Sequence, residues 1–165
     1  MNPNRQIFLR FCAEMTGYTA ISLEGTGLVD LFQQLLETVI GENIARDLYG
    51  LAESILSIGD PAKREELIRT SILPSAIIWP VVSNLIGLWY LGAWNQLSPA
   101  WYAAAGLPVP GPGDAGQTHV PSASSYTEQL AYRTAGAHTP GAKPPGFGSW
   151  SIPPVVDAGP QEEAF

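Results

Sequence analysis

The side chains most able to move protons or hold a metal in this sequence are His119, His138, the lone Cys12 and a scatter of carboxylates. Both histidines fall in a stretch rich in proline and glycine. No carboxylate pair stands beside either, and no cysteine or second histidine lies at metal-ligand spacing. A histidine in such a loop is ordinarily solvated or bonded to backbone. Glu37, Glu42, Asp47, Glu53, Glu65 and Glu66 read as residues on the polar sides of helices, where solvation is the default. Cys12 interrupts an apolar helical pattern, which makes it a small core residue; as the only cysteine it leaves no partner for a disulfide or a thiolate cluster. The glycine-rich pieces GTG (25–27) and GPGDAG (111–116) lack the strand-then-helix setting of a phosphate loop. No nucleophile, base and orienting group fall together. The sequence predicts a chain that carries out no reaction unaided.

The elements that hold these residues belong to two halves. With 165 residues, the chain is long enough for one domain and a tail. A net charge of -7 and a pI near 4.6 argue against nucleic acid and against an anionic membrane surface, both of which attract Lys and Arg. Only 14% of residues are charged while 45% are hydrophobic, too little charge to cover a monomer of this size. Part of the exterior is therefore expected to lie against a partner.

Residues 1–105 read as a mainly α bundle. Ile7, Phe8, Phe11, Cys12 and Met15 recur at helical spacing until Gly17. Leu28, Leu31, Phe32, Leu35, Val39 and Ile40 line a second helix that Gly41 ends. Ile44, Leu48, Leu51 and Ile55 stripe a third, closed near Gly59. Asp60-Pro61 is an N-cap followed by a first-turn proline, opening the short charged helix AKREELIR. Then comes the uncharged run ILPSAIIWPVVSNLIGLWYLGAW, residues 72–94. Its length matches a membrane span. Pro74, Pro80, Ser83 and Asn84, and the lack of a basic residue before Arg133, point instead to the apolar centre of a bundle. Pro80 is expected to kink that helix. A single-span anchor at 72–94 is the alternative reading.

Residues 106–165 change character, with clusters such as GLPVPGPGDAG and TPGAKPPGFG. Long regular structure does not survive that composition. One short helix is expected at about 125–135, from the capping box Ser125-Tyr126-Thr127-Glu128. Aromatic and large apolar residues continue at Trp101, Tyr102, Tyr126, Tyr132, Phe147, Trp150, Ile152 and Phe165, unlike a disordered tail. The segment reads as an extended arm that packs on its own bundle or across another protein.

IGLWYLG (86–92), SYTEQLAYRTAG from Ser125, and PPGFGSWSIPP (144–154) resemble, in order and spacing, the small subunit of FAD-dependent sorbitol, fructose and glucose dehydrogenases, a family related to gluconate 2-dehydrogenase subunit 3. The opening FLRFCAEMTGYTAISLEGTGLVDLFQQLLE is similar to that family's first two helices. The resemblance implies a helical subunit with no cofactor of its own. It implies a large FAD-containing catalytic partner of the glucose–methanol–choline type, acting on a sugar, glycoside or polyol, and membrane contact only through the complex. Trp89, Tyr90, Trp94, Trp101, Tyr126, Tyr132, Phe147 and Trp150 are the expected interface residues. The family's twin-arginine leader is not present in this sequence, so the expected location is the cytoplasm, or the periplasm if the partner carries the signal or the leader was removed. The stretch LPVPGPGDAGQTHVPSAS is longer than the family pattern and has no role in this reading.

Overall fold

The fold is taken from a computed structural model, which describes residues 3–137. It is mainly α. Helix α1 (Pro3–Thr16) buries Phe8, Leu9, Phe11 and Cys12 and stops where Gly17 takes a left-handed φ of 75°. Thr19 caps α2 (Ala20–Glu24), its hydroxyl accepting the Ser22 N–H at 3.1 Å. Helix α3 (Val29–Leu56) is broken at Gly41, whose φ of 73° and ψ of 166° lie outside helical backbone. The stop expected there is real, and the two halves meet across it.

Asp60 caps α4 (Pro61–Leu67) through its carboxylate and the Ala62 N–H, with Pro61 in the first turn. A single π turn, Ile68–Ile72, follows, closed by the Leu73 N–H on the Ile68 carbonyl. The uncharged run then divides. Residues 73–77 form a turn in which the Ser75 hydroxyl accepts the Ile78 N–H, and α5 covers Ile78–Leu91. At 14 residues α5 is about 21 Å long, short of the roughly 30 Å of a hydrocarbon core. Among the described residues no helix is long and apolar enough to cross a membrane. Pro80 does not kink α5. It sits in the first turn, where its missing N–H has no intrahelical acceptor to lose.

Helix α5 packs against α1, α3, the π turn and two later helices, and its residues Val81, Val82, Leu85, Leu88 and Trp89 are buried. Trp89 meets Phe32 edge-to-face, with ring centroids 4.8 Å apart. The buried Asn84 is bonded on both sides of its amide to the Asn95 backbone, accepting from its N–H at 3.1 Å and donating to its carbonyl. That pair turns the chain after α5 into helix α6 (Pro99–Ala105), capped by Ser98 and tied to the start of α5 by the Trp101 indole N–H on the Ile77 carbonyl.

The core does not end at residue 105. Trp94 and His119 exchange backbone hydrogen bonds of 2.9 and 3.0 Å, and Leu130 is fully buried. The single helix expected at 125–135 is two, α7 (Ala123–Thr127) and α8 (Leu130–Thr134). The cap of α7 is Ser122, three residues earlier than expected, because Ser125 is itself buried within the helix. Gln129 is extended (ψ 141°) and breaks the run before α8.

On the surface, Arg5 bridges α2 and α3 by pairing with Glu24 (2.6 Å) and Asp30 (2.5 Å). Both carboxyls are held below their ordinary values, first by the hydrogen bond from Arg5. A carboxylate with a lowered folded pKa stabilises above its unfolded pKa, about 4 for Asp and Glu, and that contribution disappears as pH falls through the lowered value. The urea midpoint of the native chain should therefore exceed that of Arg5→Gln at pH 6, and the gap should close in acid. A gap that persists unchanged at pH 2 would exclude the ion pairs as its source.

Candidate interaction surface

The described residues bring IGLWYLG (86–92) and the segment that starts at Ser125 into contact. Gly92 ends α5 in left-handed backbone (φ 68°), and a Cβ there would lie 2.3 Å from the Ser125 carbonyl oxygen. Only a glycine lets α7 lie this close to the end of α5. Tyr18 holds α8 from the other side, its hydroxyl 2.9 Å from the Thr134 hydroxyl. Leu91 (57% exposed) and Tyr126 (43%) sit on the two elements that meet here.

The expected interface aromatics divide. Trp89, Trp94 and Trp101 are buried in the chain's own core at 1%, 0% and 4% exposure, so they present nothing to a partner in this conformation. Trp89 is packed edge-on to Phe32, the Trp101 indole donates to the Ile77 carbonyl, and the Trp94 backbone is paired with His119. Tyr90 is half-buried, its hydroxyl donating to the Thr16 carbonyl at 2.8 Å and its ring edge-on to Tyr18. Tyr132 is half-buried and Tyr126 exposed. Phe147 and Trp150 lie outside the described residues, as do His138, Ile152 and Phe165.

Trp79, 38% exposed, was not among the expected surface residues. It leads a line with Ser83 and Gly87 at four-residue steps, a helix side carrying small residues where the core side carries Val and Leu. That line borders a groove of about 430 Å³, closed on its far side by Asn95, Gln96, Leu97 and Ser98. No Asp, Glu, Lys or Arg occurs from Thr70 to Gly113, so the groove has no charged lining residue.

The chemistry-bearing residues have bland surroundings. The His119 ring nitrogen Nδ1 lies 2.7 Å from the Gln117 carbonyl, and among the described residues no three His, Cys, Asp or Glu gather as metal ligands. Burial pushes the Cys12 thiol up to about 12, with a smaller opposing contact from the Trp89 indole. Glu37 departs from the solvated position expected of it. It accepts hydrogen bonds from Tyr49 (2.6 Å) and Gln33 (2.9 Å), and with Tyr49 it lines an open cleft of about 600 Å³. Twelve residues of straight helix would separate Glu37 from Tyr49 by about 18 Å; the break at Gly41 folds them together. Burial and the Glu37 carboxylate keep the Tyr49 phenol protonated.

Comparison with protein-family models, curated proteins and solved structures finds no match.

Proposed function

We propose that this chain is a non-catalytic subunit that binds and stabilises a large FAD-dependent oxidoreductase of the glucose–methanol–choline type, acting on a sugar, glycoside or polyol. The FAD belongs to that partner. What supports the reading is that IGLWYLG and SYTEQLAYRTAG, far apart in sequence, pack together at Gly92 and Ser125 with Leu91 and Tyr126 exposed beside the contact. Once buried at an interface, a tyrosine such as Tyr126 commonly contributes about 2 kcal/mol or more to binding.

Co-expression with a flavoprotein of that type encoded beside it is the test. A yellow complex should co-purify. Leu91→Arg combined with Tyr126→Arg should lower the flavoprotein recovered by at least about tenfold, since two charges would be desolvated against an apolar contact. Phe147→Ala with Trp150→Ala should weaken the same assembly. Recovery unchanged in both double variants, or turnover of a sugar by the purified chain alone, would refute the proposal.

A further inference from the structure

We infer that the pocket enclosed by residues 107–116 and the break in α3 binds a small uncharged polyhydroxy compound, of the size of one sugar ring. The inference does not rest on the proposed flavoprotein, because this chain alone builds the site. It assigns a role to LPVPGPGDAG (107–116), a stretch that the family resemblance leaves without one.

The chain reverses after α6, where Gly106 takes left-handed backbone (φ 68°), and runs back over the break in α3. Leu107 reaches Gly41, its Cδ2 lying 3.7 Å from where a Cβ on that glycine would stand. Pro108 and Pro110 fix their own φ, and the turn beyond them closes on itself. The Asp114 carboxylate accepts the Gly111 N–H at 2.7 Å, and Gln117 Nε2 donates to the Pro110 carbonyl at 3.2 Å. The pocket left beneath measures about 290 Å³, close to the lower limit of about 300 Å³ for small-molecule sites. At about 30 Å³ for a group the size of water, it has room for about ten non-hydrogen atoms.

The observation that points to a ligand is Tyr102. It is 2% exposed, it lines the pocket, and its hydroxyl has no hydrogen-bond partner within the protein. A buried hydroxyl left unpaired forfeits the bonds it had in water, and few are found in folded proteins. Gly116 marks where this one sits: a Cβ there would fall 2.8 Å from the hydroxyl oxygen, and Gly116 lines the same pocket. Glycine at 116 makes the cover over the hydroxyl as thin as a chain allows. To uncover it the turn need only shift as a unit, since the bonds that close it move with it. Burial raises the pKa of the phenol, so it stays protonated and can donate.

The rest of the lining selects the class of guest. Asp114 is its only charged residue, so an anion meets repulsion and no counter-charge. A cation meets one exposed carboxylate, already shared with Gly111, which is a weak attraction in water. An apolar guest suits Val39, Leu107 and the prolines but leaves the Tyr102 hydroxyl unpaired. Hydroxyl groups answer each polar feature. They accept from Tyr102, and they donate to Asp114 and to Thr38, whose own proton goes to the Gln34 carbonyl at 2.7 Å. The C–H faces of a polyhydroxy ring cover the prolines.

Titration of the isotopically labelled full chain with D-glucose, D-xylose and myo-inositol, followed by NMR, tests the site. At least one of these should shift the Gly111, Gly113 and Gly116 amides together and saturably. Tyr102→Phe removes the hydroxyl and keeps the ring. It should weaken binding of that probe by about three- to tenfold, the worth of one hydrogen bond. It should also leave the urea midpoint of the free chain unchanged or higher, because an unpaired hydroxyl contributes nothing to the fold. Thr38→Val, at an exposed lining residue, should weaken the same probe. No saturable shift with any of the three, or equal affinity in Tyr102→Phe, overturns the inference. So does a Tyr102→Phe chain clearly less stable in urea, since the hydroxyl would then have a structural partner, or a site that answers only to inorganic phosphate or ethylammonium. None of these outcomes bears on the assembly test at Leu91 and Tyr126, so the two proposals fail separately.

Discussion

Trp89→Ala is expected to remove about 3–5 kcal/mol of folding stability, the range for truncating a large aromatic in a core. Trp89 is 1% exposed and its ring stands edge-on to Phe32 at 4.8 Å. Its indole N–H has no oxygen or nitrogen acceptor, so the loss is one of packing and transfer rather than of a hydrogen bond. Whole domains are stable by only about 5–15 kcal/mol, so this substitution should bring the chain near unfolding at room temperature. Urea denaturation followed by far-ultraviolet circular dichroism measures it. Trp79→Ala is the matched comparison: at 38% exposure it returns less apolar area to water, so its loss should be clearly smaller than that of Trp89→Ala. Equal losses at the two tryptophans would contradict the burial assigned to each.

The second large effect is at Gly92. Alanine there carries two penalties. Left-handed backbone costs a residue with a Cβ about 1–2 kcal/mol, and the Cβ itself would stand 2.3 Å from the Ser125 carbonyl oxygen, a backbone atom that no rotamer change can move away. Gly92→Ala should therefore cost about 3 kcal/mol or be relieved by α7 coming off α5. In the second case hydrogen exchange at the Ser125 and Glu128 amides, bonded to Ser122 and Ser124, should accelerate markedly while the α3 amides hold their protection. Gly17→Ala separates the two penalties. Gly17 shares the positive φ but a Cβ there meets nothing within 4 Å, so only the backbone term of about 1 kcal/mol is expected. If both alanine variants lose the same stability, the close approach of α7 is not what demands glycine at 92.

The helices were legible wherever their boundaries are encoded by neighbours in sequence. Gly17, Gly41 and Asp60-Pro61 stop or start helices where expected, because positive φ, a carboxylate cap and a ring-locked first turn act within a few residues. The second half was less legible for the same reason inverted. Ser125 looks like a cap from its sequence, but its burial against the end of α5 makes it a helix residue, and the capping passes to Ser122. Pro80 looks like a kink only if the helix is assumed to start earlier, and the Ser75 turn decides that it does not.

The aromatic residues show the limit most clearly. Trp89, Trp94 and Trp101 were expected at an interface and lie inside, while Trp79, unremarked among its apolar neighbours, lies outside. An all-apolar helix carries no hydrophobic contrast around its circumference, so periodicity cannot choose its inner face. Contacts of Trp89 with Phe32 and Cys12, both distant in sequence, make that choice. What the sequence by itself determined about this protein is its helical class, its main helix limits and its low content of charge. Which tryptophans are core, where α7 closes on α5, and which uncharged strip stays open were decided only by the tertiary structure, because those depend on packing between segments that local preferences do not connect.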